Sequence, residues 1–440
     1  MILAKNMFKT LLTGISLVMM HSLAAEDIWD IYQLAVKNDP QFRAAQAELQ
    51  ASQELQSQSR ATLLPTVTLS AYTTSHDEEV ITATATNNAS YDNTGYSLTL
   101  TQPLYRHANF VGLNQAEAQV AKASAEYEFN KQDLIIRVAS QYFAVLSAKD
   151  DLAFADAEKK AISEQLVQTQ QRFNVGLTAI TDVHEAQARY DQAVASKIVA
   201  ENALAISKET LHELTSETHH TLAGLKADSP LLVPEPDDIA KWVDTALSQH
   251  TLLTAARHAV EVARQESNKQ QAGHYPTLDL VADHTYGDIG GGSFGALERE
   301  DTSVSLKLNV PLYQGGLVNS RTRAATFKLQ QAKEKLEQQR RATERQARSA
   351  YLSVAANISQ VKALKQALAS SKIALEATQA GFEVGTRTAV DVLNSQRELF
   401  RASRDYARAR YNYVLQTLQL KLAAGTLNET DVQQLKPWMQ

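Results

Sequence analysis

The chain has 440 residues, 44% of them apolar, and a formal net charge of -6, with acidic and basic residues interleaved. This composition supports a substantial core, and it excludes a disordered chain and a basic surface of the kind that binds nucleic acid. The lack of cysteine excludes disulfides, thiolate metal sites and an acylated cysteine at the N-terminus.

The first 25 residues have the pattern of a secretory signal peptide. Lys5 and Lys9 precede an apolar run from about Leu11 to Met20, and the small residues of "HSLAAED" follow it. We expect cleavage after Ala25, or alternatively after the residue before it, so the mature protein should not be cytosolic. No later segment approaches the roughly 18 apolar residues of a membrane-spanning helix, so any membrane segments should be strands.

Four later segments alternate apolar with polar residues and are predicted to be β-strands: 66–75, 94–105, 277–288 and 302–313. In the fourth, Val304, Leu306 and Leu308 share one face. Strands that are apolar outside and polar inside are typical of membrane β-barrels. The alternative is an amphipathic sheet on a soluble core, but no other apolar segment is available to cover that face.

Long helices are predicted after each strand pair, because four stretches contain neither glycine nor proline: 113–175, 177–223, 317–380 and 386–424. At 1.5 Å per residue, the first and third would each extend about 95 Å. Helices of this length and mixed polarity must pack side by side as coiled coils. We therefore expect two antiparallel helix pairs, at about 107–218 and 315–424.

The chain also repeats itself internally. "QRFNVG" aligns with "AGFEVG", and Tyr142 aligns with Tyr351, both at an offset of 209 (351 − 142). We divide the mature chain into a first structural repeat at 26–230, a second at 231–425 and a C-terminal tail at 426–440. Four strands are too few to close a barrel, so strands must be pooled between protomers.

Several motifs identify a family resemblance: "RFNVGLTAITDV", "VGTRTAVDVL", "ARYNYVLQTLQLKLAAGTL" and the paired "PLY" segments. With these motifs the chain resembles the trimeric outer-membrane channel proteins of the TolC type. The resemblance implies a homotrimer with four strands per protomer in a shared 12-stranded outer-membrane β-barrel. It also implies a periplasmic α-helical barrel of long antiparallel helices, wrapped by an equatorial belt that includes about 213–250 and the chain after Gly425.

Two "VG" interruptions should form the helix turns at the periplasmic tip. Gly176 and Gly385 are expected to end their helices in the left-handed conformation, and the resemblance implies that adaptor hairpins dock there. Asp182 and Asp391 lie in the first turn of the returning helices, where a carboxylate can cap the helix. The other interpretation, for Asp391, is a ring of three carboxylates around the channel that attracts cations.

Other tip residues are implied by the resemblance to form a gate. Arg387 would tie the inner helix pair to Thr181 and Asp182 of an outer pair, although a solvated arginine is the alternative. Phe382 replaces a family tyrosine and cannot donate its hydrogen bond, and Asn394 replaces a second acid. A weaker amide pair between neighbouring protomers is expected from two further positions, Gln165 and Gln379. Fewer ties imply easier opening.

The function predicted from these observations is a passive exit duct of tripartite multidrug efflux, type I protein secretion or both. Its implied partners are outer-membrane lipid, a periplasmic adaptor protein and an inner-membrane transporter of the RND, ABC or MFS class. The alternatives are a periplasmic coiled-coil adaptor or scaffold and, third, an adhesin stalk. We expect no enzyme, cofactor or metal site, because the histidines at 212, 219 and 220 lack a third ligand at a recognised spacing.

Overall fold

The computed structural model describes residues 25–226, 229–292 and 295–440. The predicted signal peptide therefore lies outside the described residues, apart from its last one. Strands β1 to β4 span Thr66–Ile81, Thr86–Arg106, Thr277–Ile289 and Leu297–Asn309. Helices α1 to α9 span Ile28–Asn38, Pro40–Ala61, His107–Asn174, Ile180–Thr215, Ile239–Gln249, Thr251–Gln271, Leu317–Glu383, Ala389–Ala424 and Glu429–Gln433. The predicted class, mainly α with four strands, is confirmed.

None of the helices in the described ranges is both long enough and apolar enough to cross a membrane.

The four strands form one antiparallel sheet in the order β1-β2-β3-β4. The register places Val67 opposite Leu100, and Ala282 opposite Val304. The apolar side chains of one face are exposed in the protomer, with Val304 71% accessible. The other face is mostly polar, with side chains such as Thr66, Ser97 and Ser305, although Val281 also lies on it. The predicted segregation of the two faces is therefore present, and β1 and β4 are edge strands.

Strand lengths differ from the predicted ones at the first loop and at both ends of β4, which begins at Leu297 rather than at 302. β1 and β2 continue through most of the expected polar loop, and the connection is a tight turn in which the Thr82 amide donates to the Ala85 carbonyl at 2.8 Å. β4 ends at Asn309 rather than at 313, because Pro311 has no amide hydrogen with which to continue a ladder. Pro103 remains within β2 because the register shifts there, between Pro103 and Tyr105.

The main core lies near the middle of α3 and α7 and the C-terminal ends of α4 and α8, where the shorter elements cover them. Side chains with no more than 2% exposure there include Tyr32, Leu134, Tyr142, Phe143, Val354 and Leu420. The C-terminal tail packs against the same region, with Gly224 donating from its amide to the Gln440 carbonyl at 2.9 Å. The long helices pair as antiparallel hairpins: α3 with α4 (the outer hairpin) and α7 with α8 (the inner hairpin).

Tyr142 connects this core to the beginning of the described chain. Its side chain has no exposed surface, and its hydroxyl lies 2.7 Å from the Ala223 carbonyl and 3.1 Å from the Glu26 carbonyl. The Glu26 amide donates to Thr221, and the Ala223 amide donates back to Glu26. A single phenol therefore secures two chain segments that are otherwise held by a short bridge.

Tyr142→Phe should lower the free energy of unfolding by about 1–3 kcal/mol, because buried carbonyl groups would lose their side-chain donor. Tyr313→Phe is the matched control, since that tyrosine is 88% exposed. Thermal unfolding of the purified protein measures both. Equal melting temperatures for the two variants would contradict a structural role for the Tyr142 hydroxyl.

Candidate functional site at the helix turns

The two helix hairpins turn through the same backbone motif. Gly176 and Gly385 have φ angles of +78° and +79°, and no atom lies within 4 Å of a Cβ built on either. Glycine is thus required for its backbone conformation and not for space. The amide of Leu177 donates to the Arg172 carbonyl, and that of Thr386 donates to the Gly381 carbonyl, both at 2.8 Å. This pattern is the Schellman helix end, and the predicted role of both glycines is present.

Asp391 caps the returning helix of the inner hairpin. Its Oδ2 accepts from the amide and the hydroxyl of Thr388, both at 2.9 Å, and its own amide donates to the Thr388 hydroxyl at 3.2 Å. These Thr388 bonds, backbone first, lower the pKa of Asp391, and the Arg387 charge adds to the effect. Since the folded-state pKa is depressed, the cap is complete above the ordinary aspartate pKa and is lost as pH falls through the lowered value.

Asp182 caps the outer turn with fewer bonds. Its Oδ2 accepts from the Thr178 hydroxyl and, at 3.4 Å, from the Ala179 amide. Ala179 stands where the inner turn has Thr388, so no side chain is available to accept from the Asp182 amide. The two carboxylates are therefore both used in capping within one protomer, and the inner cap is the more complete.

Arg387 lies across the inner turn. Its amide donates to the Gly381 carbonyl at 3.1 Å, and a Cβ built on Gly381 would lie 2.8 Å from the Arg387 Cγ. Within the described part of the protomer, the Arg387 guanidinium has no hydrogen bond or ion pair, and Thr181 is exposed. The tie from Arg387 to Thr181 and Asp182 of another hairpin stays a prediction.

Phe382 makes a contact that the sequence did not predict. Its ring is only 9% exposed, and the guanidinium carbon of Arg172 lies 4.3 Å from the ring centroid. Such a cation–π contact contributes about 0.5–2 kcal/mol, depending on how far the charge is desolvated. Arg172 belongs to α3 and Phe382 to α7, so the contact joins the outer hairpin to the inner one. The sequence offered one signal for this contact: the position equivalent to Arg172 in the second half, at the repeat offset of 209, is Gly381 and not an arginine.

Asn394 makes a second contact of this kind. Its Oδ1 accepts from Nη1 of Arg189 at 3.2 Å, while Nη2 of Arg189 donates to Glu185 at 2.9 Å. Arg189 lies on α4 and Asn394 on α8, so this bond also joins the two hairpins. Arg189 was missed in the sequence because an arginine four residues after a glutamate, here Glu185, is typical of any solvated helix face.

The two glutamines lie in different environments. Gln165 is 7% exposed, and its side-chain nitrogen has no hydrogen-bond partner in the residues that the structure describes. Gln379 is exposed, and no hydrogen bond joins the two within the protomer. Their pairing between neighbouring protomers stays a prediction.

Of the histidines at 212, 219 and 220, His219 lies in the core, and the other two are exposed. His219 is buried, with Nδ1 2.7 Å from a Glu26 carboxylate oxygen and Nε2 2.7 Å from the Thr215 hydroxyl. In the ranges 25–226, 229–292 and 295–440, no three histidine, cysteine, aspartate or glutamate side chains are grouped as metal ligands.

Comparisons with known proteins agree on one family. Residues 31–217 and 242–426 match the family described as outer membrane efflux protein. The chain is 38% identical to outer membrane protein TolC of Vibrio cholerae over 93% of this chain and 92% of that protein. It is 30% identical to the proteases secretion protein PrtF of Dickeya chrysanthemi over 95% of this chain and 92% of that protein.

Among solved structures, the Campylobacter jejuni CmeC outer membrane channel has the same fold. The TM-score is 0.77 at 14% identity, over 93% of this chain and 88% of that one. The fold, the matched segments and the identity to relatives over nearly their whole length all lead to one conclusion: this chain belongs to the outer membrane efflux protein family.

Proposed function

We propose that the protein is a passive exit duct in the outer membrane, built as a homotrimer and closed at the helix turns until partner proteins open it. Membership of the outer membrane efflux protein family carries this proposal. The relatives named TolC and PrtF support the proposal that the duct serves multidrug efflux, type I protein secretion or both. In this proposal the protein has no catalytic role and no cofactor.

The sheet supports an assembly of several protomers. Its apolar face is exposed, and its two outer edges lie on β1 and β4. Unpaired backbone groups are not tolerated in lipid, so the edges must pair with neighbouring copies. Three protomers would supply twelve strands with the apolar face toward outer-membrane lipid. A coiled-coil adaptor or scaffold, the alternative, would have no use for such a sheet.

The long helices support the same assembly. Large apolar side chains are exposed on the outer surface of the protomer at Ile198, Val199, Ile206, Leu352 and Ile373. Three of them lie on α4 and two on α7, the long helices of the two hairpins. Packing against the hairpins of neighbouring protomers would cover them and extend the duct through the periplasm.

The helix turns are the proposed docking and gating region. Val175, Leu177 and Val384 flank the turn glycines and are at least 70% exposed, which suits contact with the hairpin of a periplasmic adaptor. An inner-membrane transporter of the RND, ABC or MFS class would supply energy and select the cargo. Asp391 would form a ring of three carboxylates in the closed trimer, and Arg387 would hold inner hairpins against neighbouring outer ones.

The proposed function is tested by locating and sizing the native protein. After fractionation of the source cells, we expect a trimer in the outer-membrane fraction that dissociates only on heating. Reconstitution in a planar bilayer should then give a low, stable conductance. A periplasmic monomer with no channel activity would contradict the duct and favour the adaptor.

Arg387→Ala should raise the single-channel conductance of the trimer in planar bilayers severalfold, because the proposed tie between hairpins would lose its charged donor. Arg397→Ala is the control, since Arg397 is also exposed near the tip and forms no ion pair among the described residues. A conductance for Arg387→Ala that equals that of the unmodified protein would refute the gating role.

Asp391 has two roles that substitutions can separate. Asp391→Asn removes the ring charge and keeps a side-chain oxygen that can accept from Thr388, whereas Thr388→Ala removes the hydroxyl from the cap and retains the charge. We expect Thr388→Ala to destabilise the first turn of α8, because the Asp391 amide loses its side-chain acceptor. Only Asp391→Asn should reduce cation selectivity, measured as the reversal potential in a salt gradient. Equal reversal potentials for the two variants would restrict Asp391 to capping.

A further inference from the structure

We propose that Arg172 and Phe382 form a latch between the outer and inner hairpins of each protomer, and that the latch must separate before the duct opens. This inference rests on the proposed function. It assigns a role to Arg172, and it gives Phe382 a positive role in closure, whereas the sequence predicted only a lost hydrogen bond at that position.

Each half of the latch is fixed to its own turn. The Arg172 carbonyl accepts the Leu177 amide in the outer Schellman motif at 2.8 Å. The Phe382 carbonyl accepts the Gly385 amide in the inner one at 3.1 Å. A residue whose backbone closes a helix end moves with that end. Any displacement of the inner turn relative to the outer turn therefore separates the guanidinium from the ring.

The contact is placed where it can hold the hairpins together. Phe382 is nearly buried, and the Arg172 guanidinium stands over its ring at 4.3 Å, so the face of the ring is covered by a cation. A guanidinium that stacks on an aromatic face is less strongly hydrated than an ammonium and gives up less on leaving water. The contact between the Arg172 guanidinium and the Phe382 ring thus stabilises the closed duct without a carboxylate.

Arg189 reinforces the latch on the other side of the hairpins. It reaches from α4 to the Asn394 side chain on α8, while Arg172 reaches from α3 to α7. A small apolar cluster of Ile162, Ala193 and Leu393 also joins the two hairpins. Each helix of the inner hairpin is therefore held by one arginine of the outer hairpin. Because neither arginine meets an acid on the inner hairpin, both contacts are weaker than full ion pairs and suit repeated opening.

A purely packing role for Phe382 makes different predictions. If the ring only fills space, replacing Arg172 should have no effect, and any effect of Phe382→Leu should be the same with or without the arginine. If the two residues form a latch, either substitution removes the same contact. Double-mutant analysis distinguishes the two cases because residues in contact are not additive.

The experiment measures single-channel conductance of the full-length trimer in planar bilayers for Arg172→Gln, Phe382→Leu and the double variant. We expect each single variant to raise the time-averaged conductance about twofold to tenfold, and the double variant to add little, because the pair acts as a unit. Phe382→Tyr retains the aromatic face and should not raise the conductance above that of the unmodified protein. Arg172→Lys retains the charge and should fall between the unmodified protein and Arg172→Gln.

Each outcome decides for or against the latch. Gel migration without heating establishes that each variant forms the trimer. If Phe382→Leu fails to assemble, comparing the conductance of Arg172→Gln with that of Arg172→Lys still tests the latch. Unchanged conductance in Arg172→Gln, or additive effects in the double variant, would overturn the latch while the duct remains. An unmodified protein that forms no channel would overturn the proposed function itself.

Arg397→Gln should leave conductance unchanged and controls for the loss of one positive charge near the tip.

Discussion

The sheet of this chain is incomplete, and this constraint governs the rest of the structure. Four strands expose an apolar face and leave two edges of unpaired backbone groups. The unpaired backbone groups are costly in lipid, and the apolar face is costly in water. The protomer therefore requires copies of itself, and because α3 and α7 follow strand pairs directly, the same assembly would bring the hairpins together around one axis.

The helix turns are rigid units joined by weak contacts. Schellman ends and the Asp391 cap fix the geometry within each turn, since the backbone groups at the helix ends there find partners. Between the hairpins, by contrast, the described contacts near the tip are a cation over a ring, one amide bond and a small apolar cluster. This contrast favours opening in which whole hairpins move, over opening in which their ends fray.

Divergence between the two halves has made the turns unequal. The inner turn has Gly381, which leaves room for Arg387, whereas the outer turn has Arg172 at the equivalent position and reaches across to Phe382. The inner cap has Thr388 and the outer has Ala179. The positions equivalent to Arg172 and Phe382 are Gly381 and Phe173, so this contact has no counterpart with the two halves exchanged.

Elements with local signals could be predicted from the amino-acid sequence. Long helices followed from the lack of glycine and proline, strands from alternation, and the turns from two glycines, because backbone preference and periodicity act over a few residues. The tertiary structure alone decided which side chains meet across the hairpins. Arg172 and Phe382 are 210 residues apart (382 − 172), and Arg189 and Asn394 are 205 apart. Contacts at such separations depend on how two helix pairs pack, and no local pattern encodes that packing.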